Sequence, residues 1–372
     1  MKRLRVLLLF GGRSAEHDVS RVSAVSAASA LDPERYEVVP VAITTEGRWL
    51  LAGEAQAALD GARDALPSAF RVEGSPVAEL ADPGSRELVP LDASAPDAAA
   101  PTPFDVVLPL LHGPYGEDGT VQGLFELSGV PYVGSGVVGS AVGMDKVMMK
   151  RAFTAAGLPM ARWLAHRDGH DAGAFADQVV AELGLPCFVK PSNLGSSVGV
   201  SKARDRAELD AAIDLAAVYD EWVIAEEAID GREIEVAVLG DDPPIASVPG
   251  EIEPADDFYS YADKYEDDAA RLLVPAPLTD AQADEVGALA VAAFEACRCE
   301  AMARVDFFLE EGGRGFLINE VNTIPGFTPI SMYPRLWEES GVPYAELLDR
   351  LIELALARGA RRERRAGRQR DR

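Results

Sequence analysis

The stretch ARVDFFLEEGGRGFLINEVNTIPGFTPIS, residues 303–331, decides how this chain is interpreted. Two apolar runs flank the turn-forming sequence EGGRG, which is typical of a β-hairpin. If the turn is centred on the third residue of EGGRG, Asp306 lies opposite Glu320 and Arg304 lies opposite Asn322. Because side chains alternate between the two faces of a strand, all four would share one face.

This shared face predicts a divalent metal site. Directly paired residues have Cβ atoms about 4.5–5.5 Å apart, so two carboxylates there repel each other unless a cation binds. The oxygen donors of Asp306, Glu320 and Asn322 suit Mg²⁺ or Mn²⁺ better than zinc. The alternative is a solvated acidic hairpin. Bulky apolar neighbours on both faces argue against it, because they indicate a buried sheet, where an unpaired carboxylate is costly.

The net charge of −26 is unevenly distributed along the chain. Residues 358–372 contain eight arginines against two acidic residues, which leaves −32 for the rest of the chain. A body this acidic repels nucleic acid and anionic membranes, so we expect neither as a partner. The basic end itself is expected to be a solvated, disordered tail.

The cysteines and the N-terminus point to the cytoplasm. Cys187, Cys297 and Cys299 make no disulfide framework, which favours a reducing compartment. The start MKRLRVLLLFGG superficially resembles a signal peptide, but its apolar run ends after Phe10. That run is too short for a signal sequence or a membrane span, so we expect a first buried strand instead.

The N-terminal part predicts a doubly wound α/β unit. A strand over 5–10 is followed by a glycine turn and by helical apolar spacing over 15–31. Glu16 and His112 each follow the carboxyl end of a predicted strand, where such sheets bind ligands. Glu16 could instead simply lie favourably at a helix N-terminus, and His112 could brace its loop. The glycine pattern is GG rather than GxGxxG, so a dinucleotide site is only weakly indicated.

The stretch CFVKPSNLGSSVGV at 187–200 indicates an anion site. A strand ends at Lys190, a Gly/Ser-rich loop follows, and a second strand is predicted to begin at Val198. Backbone N–H groups in such a loop can hold phosphate, and the lysine adds a positive charge. The loop is not a Walker A motif, because the lysine precedes the glycines and a strand follows. An ordinary hairpin loop is the alternative, but a lysine buried at the end of an apolar run needs an anion.

Together these segments resemble the ATP-grasp superfamily and, most closely, the D-alanine–D-alanine ligase family. The resemblance extends from Val6 to about Leu354, and the segment 52–100 makes the chain similar to the longer form of the family. Besides the two arms of the hairpin, the most specific matches are GGRSAEHDVS (11–20), LHGPYGEDGTVQG (111–123), MDK (144–146), VKPSNLGSSVGV (189–200), AEEAIDGREIEV (225–236) and FYSYADKY (258–265).

The resemblance implies an α/β protein, α+β in its ATP-binding part, with the ATP-grasp fold. The implied parts are a doubly wound N-terminal domain over 1–140, a central lid subdomain over 141–225, a C-terminal subdomain with the metal site over 226–357, and the tail over 358–372. The implied reaction is the ATP-dependent ligation of two D-alanine molecules through D-alanyl phosphate, for peptidoglycan precursor synthesis. A homodimer is expected, as is common in the family.

The resemblance also implies roles for individual residues. ATP would contact Lys146, Lys190, Ser197, Glu226, Glu227, Ile229, Glu233 and Lys264. Two Mg²⁺ or Mn²⁺ ions would be held by Asp306, Glu320 and Asn322. The D-alanine substrates would be bound by Glu16, His112 and Ser331. The catalytic set would comprise Glu16, Ser196, Tyr265, Arg304 and the backbone N–H of Gly326.

Three competing interpretations remain open at this point. An enzyme of the same fold could take D-lactate, D-serine or another amino acid as acceptor, although Tyr265 in FYSYADKY favours the dipeptide product. A non-catalytic nucleotide-binding regulator would be expected to have lost polar groups of the hairpin, and all are present. A dinucleotide-dependent oxidoreductase would explain neither the acidic hairpin nor the Lys190 loop.

Overall fold

The structure is a computed structural model. It describes residues 2–51, 75–79, 86–91, 102–253 and 271–364. Two residues implied in the site, Lys264 and Tyr265, lie outside the described residues, as does most of the segment 52–100. The described helices are α1 (His17–Ala30), α2 (Thr120–Ser128), α3 (Val137–Met144), α4 (Lys146–Ala156), α5 (Ala172–Glu182), α6 (Arg206–Tyr219), α7 (Asp280–Ala296), α8 (Met332–Glu339) and α9 (Tyr344–Glu363). None of these helices is long and apolar enough to cross a membrane.

The first sheet consists of β1 (Leu4–Gly11), β2 (Tyr36–Ile43), β3 (Trp49–Leu51), β4 (Ser75–Glu79), β5 (Glu87–Pro90), β6 (Thr102–Pro103) and β7 (Val106–Leu110). Its order is β6-β5-β4-β3-β2-β1-β7, and β1 pairs in parallel with both β2 and β7. Alternate residues of β1 enter different cores: Val6 and Leu8 pack with residues of α1, whereas Leu7 and Leu9 pack with residues of α2. Helices therefore cover both faces, as predicted for a doubly wound unit.

The second sheet consists of β8 (Trp163–Arg167), β9 (Cys187–Pro191), β10 (Ser201–Ala203) and β11 (Trp222–Glu227), in the order β10-β9-β11-β8. Residues of α5 and α6 form its core. The strand after the Gly/Ser-rich loop begins at Ser201, so the predicted start at Val198 is wrong. Gly199 has φ of 72°, a left-handed conformation that an extended strand does not contain, and the N–H of Val200 donates to the carbonyl of Ser197 at 3.3 Å in a turn. The loop is therefore longer than the sequence pattern suggested.

The third sheet consists of β12 (Arg232–Leu239), β13 (Ile245–Ala246), β14 (Gly250–Glu253), β15 (Arg271–Leu273), β16 (Met302–Glu310) and β17 (Gly315–Asn322). Its order is β15-β14-β12-β16-β17, and β13 pairs with β12. Residues of α4 and α7 pack on one face. Residues of α8 and α9 form a single core with β1 and β7 of the first sheet. The first and third sheets lie within the implied N-terminal and C-terminal segments, whereas the second sheet extends to Glu227, two residues past the implied boundary at 225. The domain boundaries themselves stay a prediction.

The hairpin of β16 and β17 has the predicted pairing. Asp306 lies opposite Glu320, and Arg304 lies opposite Asn322. The turn is not centred on Gly313, because the pairs nearer the turn are offset by one residue. A β-bulge directly after Asp306 absorbs this offset and restores the register of the polar pairs.

The predicted tail begins later than position 358. Helix α9 continues to Glu363, and Arg358 within it is only 4% exposed. Its guanidinium donates to the carbonyl oxygens of Tyr132 and Gly134, at 2.5 and 2.6 Å. The expectation of a disordered tail is therefore wrong for its first residues, which are ordered by these contacts. Residues 365–372 lie outside the described chain.

Candidate active site

Two adjoining cavities contain the described residues that the sequence singled out. The larger, about 1050 Å³, lies between the second and third sheets, and the smaller is about 350 Å³. Ser196, Glu235, Ile252 and Glu320 line both cavities. All seven described residues implied in ATP binding line the larger one: Lys146, Lys190, Ser197, Glu226, Glu227, Ile229 and Glu233.

Two buried ammonium groups converge on one carboxylate in the larger cavity. Glu226 is 4% exposed, and its two oxygens lie 2.6 Å from Lys150 Nζ and 2.5 Å from Lys190 Nζ. Burial opposes the charge on Glu226, but the two lysines hold the pKa of its carboxyl well below the usual range. Burial lowers the pKa of Lys150. At Lys190 burial also acts to lower the pKa, but Glu226 has the larger effect, and the pKa of Lys190 is raised.

Sequence reasoning missed Lys150. The signal was its position one helical turn after Lys146 on α4, which places both lysines on one side of the helix. Lys146 Nζ donates to the carbonyl of Leu194 at 2.7 Å and lies 3.6 Å from Glu320. The start of α4 therefore connects the Gly/Ser-rich loop to the hairpin. Asp145 caps this helix by accepting from the N–H of Met148 at 2.9 Å.

The polar face of the hairpin is a connected ion-pair network. Arg304 donates through Nε and Nη2 to the two oxygens of Asp306, both at 2.7 Å. Asn322 Nδ2 also donates to Asp306, at 2.9 Å, and Glu235 lies 3.2 Å from Arg304. Two acids flank the guanidinium, so the pKa of Arg304 stays well above its usual range although burial opposes the charge. In this arrangement Arg304 supplies the positive charge that the acidic pair requires.

The donors on this face fit a hard divalent cation. Asp306, Glu320 and Asn322 offer carboxylate and amide oxygens, which are the ligands that Mg²⁺ and Mn²⁺ prefer. Asn322 presents its NH₂ group to Asp306, so its amide would have to rotate to offer oxygen. Among the described residues no three His, Cys, Asp or Glu side chains group closely enough to hold a metal alone.

The smaller cavity brings together all the described residues implied in substrate binding and catalysis: Glu16, His112, Ser196, Arg304, Gly326 and Ser331. The Ser196 hydroxyl donates to the Glu16 carboxylate, although 180 residues separate them in sequence. A Cβ at Gly113 or Gly195 would come within 2.9 or 3.0 Å of a Glu16 oxygen. Glycine at these two positions therefore allows both loops to close around the carboxylate.

Comparison with known proteins decides the family. The model described as D-ala D-ala ligase N-terminus matches residues 5–135, and the model described as D-ala D-ala ligase C-terminus matches residues 152–353. The chain belongs to the D-alanine–D-alanine ligase family. It is 50% identical to the D-alanine--D-alanine ligase of Streptomyces griseus subsp. griseus over 371 residues, which covers 96% of this chain and 94% of that protein.

Solved structures agree with membership of the D-alanine–D-alanine ligase family. The D-alanine-D-alanine ligase from Coxiella burnetii superposes with a TM-score of 0.83 at 34% identity, over 98% of this chain and 97% of that one. The VanG D-Ala:D-Ser ligase from Enterococcus faecalis also gives 0.83, at 33% identity, over 95% of this chain and 100% of that one. The predicted ATP-grasp fold is thereby confirmed.

His112 is placed differently from a simple substrate contact. It is 4% exposed, with Nδ1 3.0 Å from the carbonyl of Ile324 and Nε2 3.2 Å from the hydroxyl of Ser23. A carbonyl only accepts, so Nδ1 carries the proton, and burial lowers the pKa of His112, which keeps the ring neutral. Both ring nitrogens are engaged. The structure therefore favours the bracing role that the sequence left open over a direct hydrogen bond to substrate.

Glu117 is the second carboxylate beneath this cavity. It accepts from the backbone N–H groups of Gly113 at 2.9 Å and Ile324 at 3.2 Å. Burial, reinforced by the nearby charge of Glu16, raises the pKa of Glu117 to about 8. The folded protein therefore favours the protonated carboxyl over a pH range in which the unfolded chain has already lost the proton.

This raised pKa predicts a pH-dependent stability. Between pH 4.5 and about 8 the folded state binds more protons at Glu117 than the unfolded state, so stability falls as pH rises through this window. We expect urea unfolding to show this decline in the wild type and a flatter profile in Glu117→Gln. Glu34→Gln, at an exposed position, is the matched control and should keep the wild-type profile. Parallel profiles for wild type and Glu117→Gln would contradict the assignment.

Proposed function

We propose that this chain is an ADP-forming D-alanine–D-alanine ligase that makes D-alanyl-D-alanine for peptidoglycan precursor synthesis. One observation carries the proposal: the larger cavity, lined by every described residue implied in ATP binding, adjoins the cavity that contains Glu16, Arg304 and Gly326. Glu320 and Ser196 line both cavities. A γ-phosphate bound at this junction would therefore lie beside a substrate carboxylate bound in the smaller cavity.

ATP would occupy the larger cavity. Glu226, kept ionised by two lysines, would accept a hydrogen bond from the adenine amino group. The backbone near Glu227 and Ile229 would contact the base, and Glu233 would accept from the ribose hydroxyls. Lys146, Lys190 and the loop at Ser197 would bind the phosphates. The lysines offset the phosphate charge, which is the main requirement of a phosphoryl transfer.

The metal ions belong to the hairpin. Asp306, Glu320 and Asn322 would hold two Mg²⁺ or Mn²⁺ ions, which neutralise phosphate charge when bound. Arg304 donates to both oxygens of Asp306, so Oδ1 keeps a second lone pair for another partner. Oδ2 also accepts from Asn322, and rotation of that amide would free its second lone pair. The same acid can therefore serve a cation while it keeps the guanidinium in place.

The two D-alanines would bind in the smaller cavity. Glu16 would hold the ammonium of the first, whose carboxylate oxygen attacks the γ-phosphorus while ADP departs, giving D-alanyl phosphate. The amine of the second then attacks the acyl carbon, and phosphate leaves. Arg304 and the N–H of Gly326 would stabilise the tetrahedral oxyanion, a contribution of ~3–4 kcal/mol per donor. Ser331 would bind the carboxylate of the second substrate.

Closure of the site would exclude water from the acyl phosphate. The Ser196 hydroxyl donates a hydrogen bond to Glu16. This hydrogen bond connects the Gly/Ser-rich loop to the N-terminal part of the chain. Tyr265 would join this pair, and Lys264 would reach the phosphates. Excluding water protects the intermediate from hydrolysis.

We further propose a homodimer in the cytoplasm, with no nucleic-acid or membrane partner, in line with the acidic body and the three free buried cysteines.

The proposed activity predicts a stereospecific phosphate release. With ATP and Mg²⁺, D-alanine should stimulate phosphate release strongly, and L-alanine should give no more than the background without amino acid. A coupled phosphate assay measures this, and chromatography identifies the dipeptide. Equal stimulation by both enantiomers, or no stimulation by D-alanine, would refute the proposed function.

A second candidate function changes only the acceptor. The similarity to the VanG D-Ala:D-Ser ligase, at 33% identity over 95% of this chain, makes D-serine the acceptor to test. We expect D-alanyl-D-alanine to dominate when equal concentrations of D-alanine and D-serine compete. Mass spectrometry of the mixed-acceptor reaction decides, and a dominant D-alanyl-D-serine product would favour the second candidate.

A further inference from the structure

Three groups of the N-terminal sheet and its helices hold the backbone on both sides of Gly326. The carbonyl of Ile324 accepts from His112 Nδ1 at 3.0 Å, and the N–H of Ile324 donates to Glu117 at 3.2 Å. The N–H of Phe327 donates to the Ser23 hydroxyl at 3.1 Å. The segment with the implied oxyanion donor is therefore oriented by residues about 200 to 300 positions earlier in the chain.

Ser23 connects two of these contacts. It lies on α1 with no solvent exposure, and it lines neither cavity formed by the described residues. Its hydroxyl accepts from the N–H of Phe327 and lies 3.2 Å from His112 Nε2. Because the proton of the neutral ring is on Nδ1, Nε2 must accept, so the hydroxyl donates to it. One side chain thus anchors Phe327 directly and fixes the ring that anchors Ile324.

The backbone at Gly326 has little freedom to tolerate a shift. A Cβ at this position would come within 2.6 Å of Ser331 Oγ, the side chain implied in binding the second substrate. Pro325 precedes it and restricts the chain further. The Gly326 N–H belongs to the peptide that follows Pro325, and its direction is set by the backbone between the two anchored residues, Ile324 and Phe327. A small shift of either anchor would therefore change both this direction and the distance of Gly326 from Ser331.

We propose that Ser23 is a positioning residue of the ligase, which holds the Gly326 N–H in the direction required by the tetrahedral oxyanion. The inference rests on the proposed function, in which Gly326 acts in the second step. Ser23 contacts no reacting atom and acts through Phe327 and His112. Its hydroxyl is needed because one group must accept from a backbone N–H and donate to an imidazole nitrogen at once.

Ser20 offers a matched control on the same helix. It is equally buried, one turn earlier, and its hydroxyl also makes two hydrogen bonds. It accepts from the N–H of Gly11 at 2.7 Å and donates to the carbonyl of Leu110, both in the first sheet. Ser20→Ala therefore removes the same group from the same helix without contact to the residues around Gly326.

The test compares Ser23→Ala, Ser20→Ala and the wild type at saturating ATP, Mg²⁺ and D-alanine. The readouts are kcat, KM for ATP, thermal midpoint, and ADP formed per dipeptide. We expect Ser23→Ala to lower kcat on the order of tenfold, because a donor misplaced by a fraction of an ångström loses much of its effect. Its ADP-to-dipeptide ratio should exceed one, since acyl phosphate that waits for the amine is hydrolysed to D-alanine and phosphate. KM for ATP should not change.

Ser20→Ala should lower the thermal midpoint to a similar extent but keep one ADP per dipeptide. If Ser23→Ala fails to fold, Ser23→Cys keeps the volume with a weak donor and should give the same rise in the ratio. If the wild type formed one ADP per dipeptide and the two alanine variants showed the same kinetics and the same ratio as each other, the role of Ser23 would be wrong. The proposed function would then still stand. A wild type that forms no dipeptide would overturn the proposed function, and the inference with it.

Discussion

Asp306→Asn is expected to lower kcat on the order of 10³-fold, the largest effect of any single substitution in the site, because a metal contributes several kcal/mol of charge stabilisation. The carboxylate accepts from Arg304 twice and from Asn322 once. An amide in its place has one acceptor oxygen and no charge, so it weakens the cation site and releases the guanidinium. Steady-state kinetics at saturating ATP and D-alanine measures the loss, and calorimetry measures Mg²⁺ binding.

Glu310→Gln is the control for this substitution. Glu310 lies at the turn end of the same strand, lines neither cavity formed by the described residues, and pairs with Arg314 at 2.9 Å. Arg314 holds the pKa of Glu310 at about 2, so this variant also removes a charged acid. Its kcat should stay within about twofold of wild type. If Asp306→Asn kept a tenth or more of wild-type activity, the metal role of this residue would be wrong.

Lys150→Met is expected to reduce the free energy of unfolding by about 3 kcal/mol and to weaken ATP binding. The substitution removes one partner of a buried ion pair, which typically costs about 3–5 kcal/mol, and Lys190 retains part of the compensation for Glu226. Glu226 would then rotate toward Lys190, away from the position that accepts the adenine amino group. Urea unfolding with and without ATP measures both effects.

A double-mutant cycle separates this pair from loss of packing. Replacing Glu226 by Gln in the Lys150→Met background removes the charge that the first substitution exposes. We expect the double variant to be more stable than the sum of the single changes predicts, since contacting residues are not additive. Additive losses would show that Lys150 contributes through packing alone.

The sequence was sufficient for the parts of the site that depend on local periodicity. The pairs Asp306–Glu320 and Arg304–Asn322 follow from the alternation of a strand once the turn is located. The bulge after Asp306 was not predictable, because a one-residue insertion leaves no mark in the apolar pattern. The predicted turn position was wrong and the bulge was not predicted. At the polar pairs these two differences compensate each other, because the bulge shifts the register back by the residue that the turn displaced.

Contacts between distant segments were beyond sequence reasoning. Ser23 and Lys150 act through partners between 76 and 304 residues away, and the only local signal is the spacing of Lys150 from Lys146 on α4. Helix α8 was not predicted either, although its N-cap residue is Ser331. The extent of α9 was misjudged because a run of arginines suggests a solvated end. Arg358 is buried nevertheless, since carbonyl oxygens and Glu300 accept its hydrogen bonds.

The shared core of the first sheet and the last helices has a consequence for synthesis on the ribosome. Val6 and Leu8 of β1 pack in the same cluster as Leu348 and Ile352 of α9. Arg358 connects that helix to the carbonyl of Tyr132. The N-terminal strands and α1 are translated first, but the part of their shared apolar core that packs with α9 stays uncovered until the final helix leaves the exit tunnel. The nascent chain must therefore protect this face through most of translation, and a premature stop before α9 leaves it exposed.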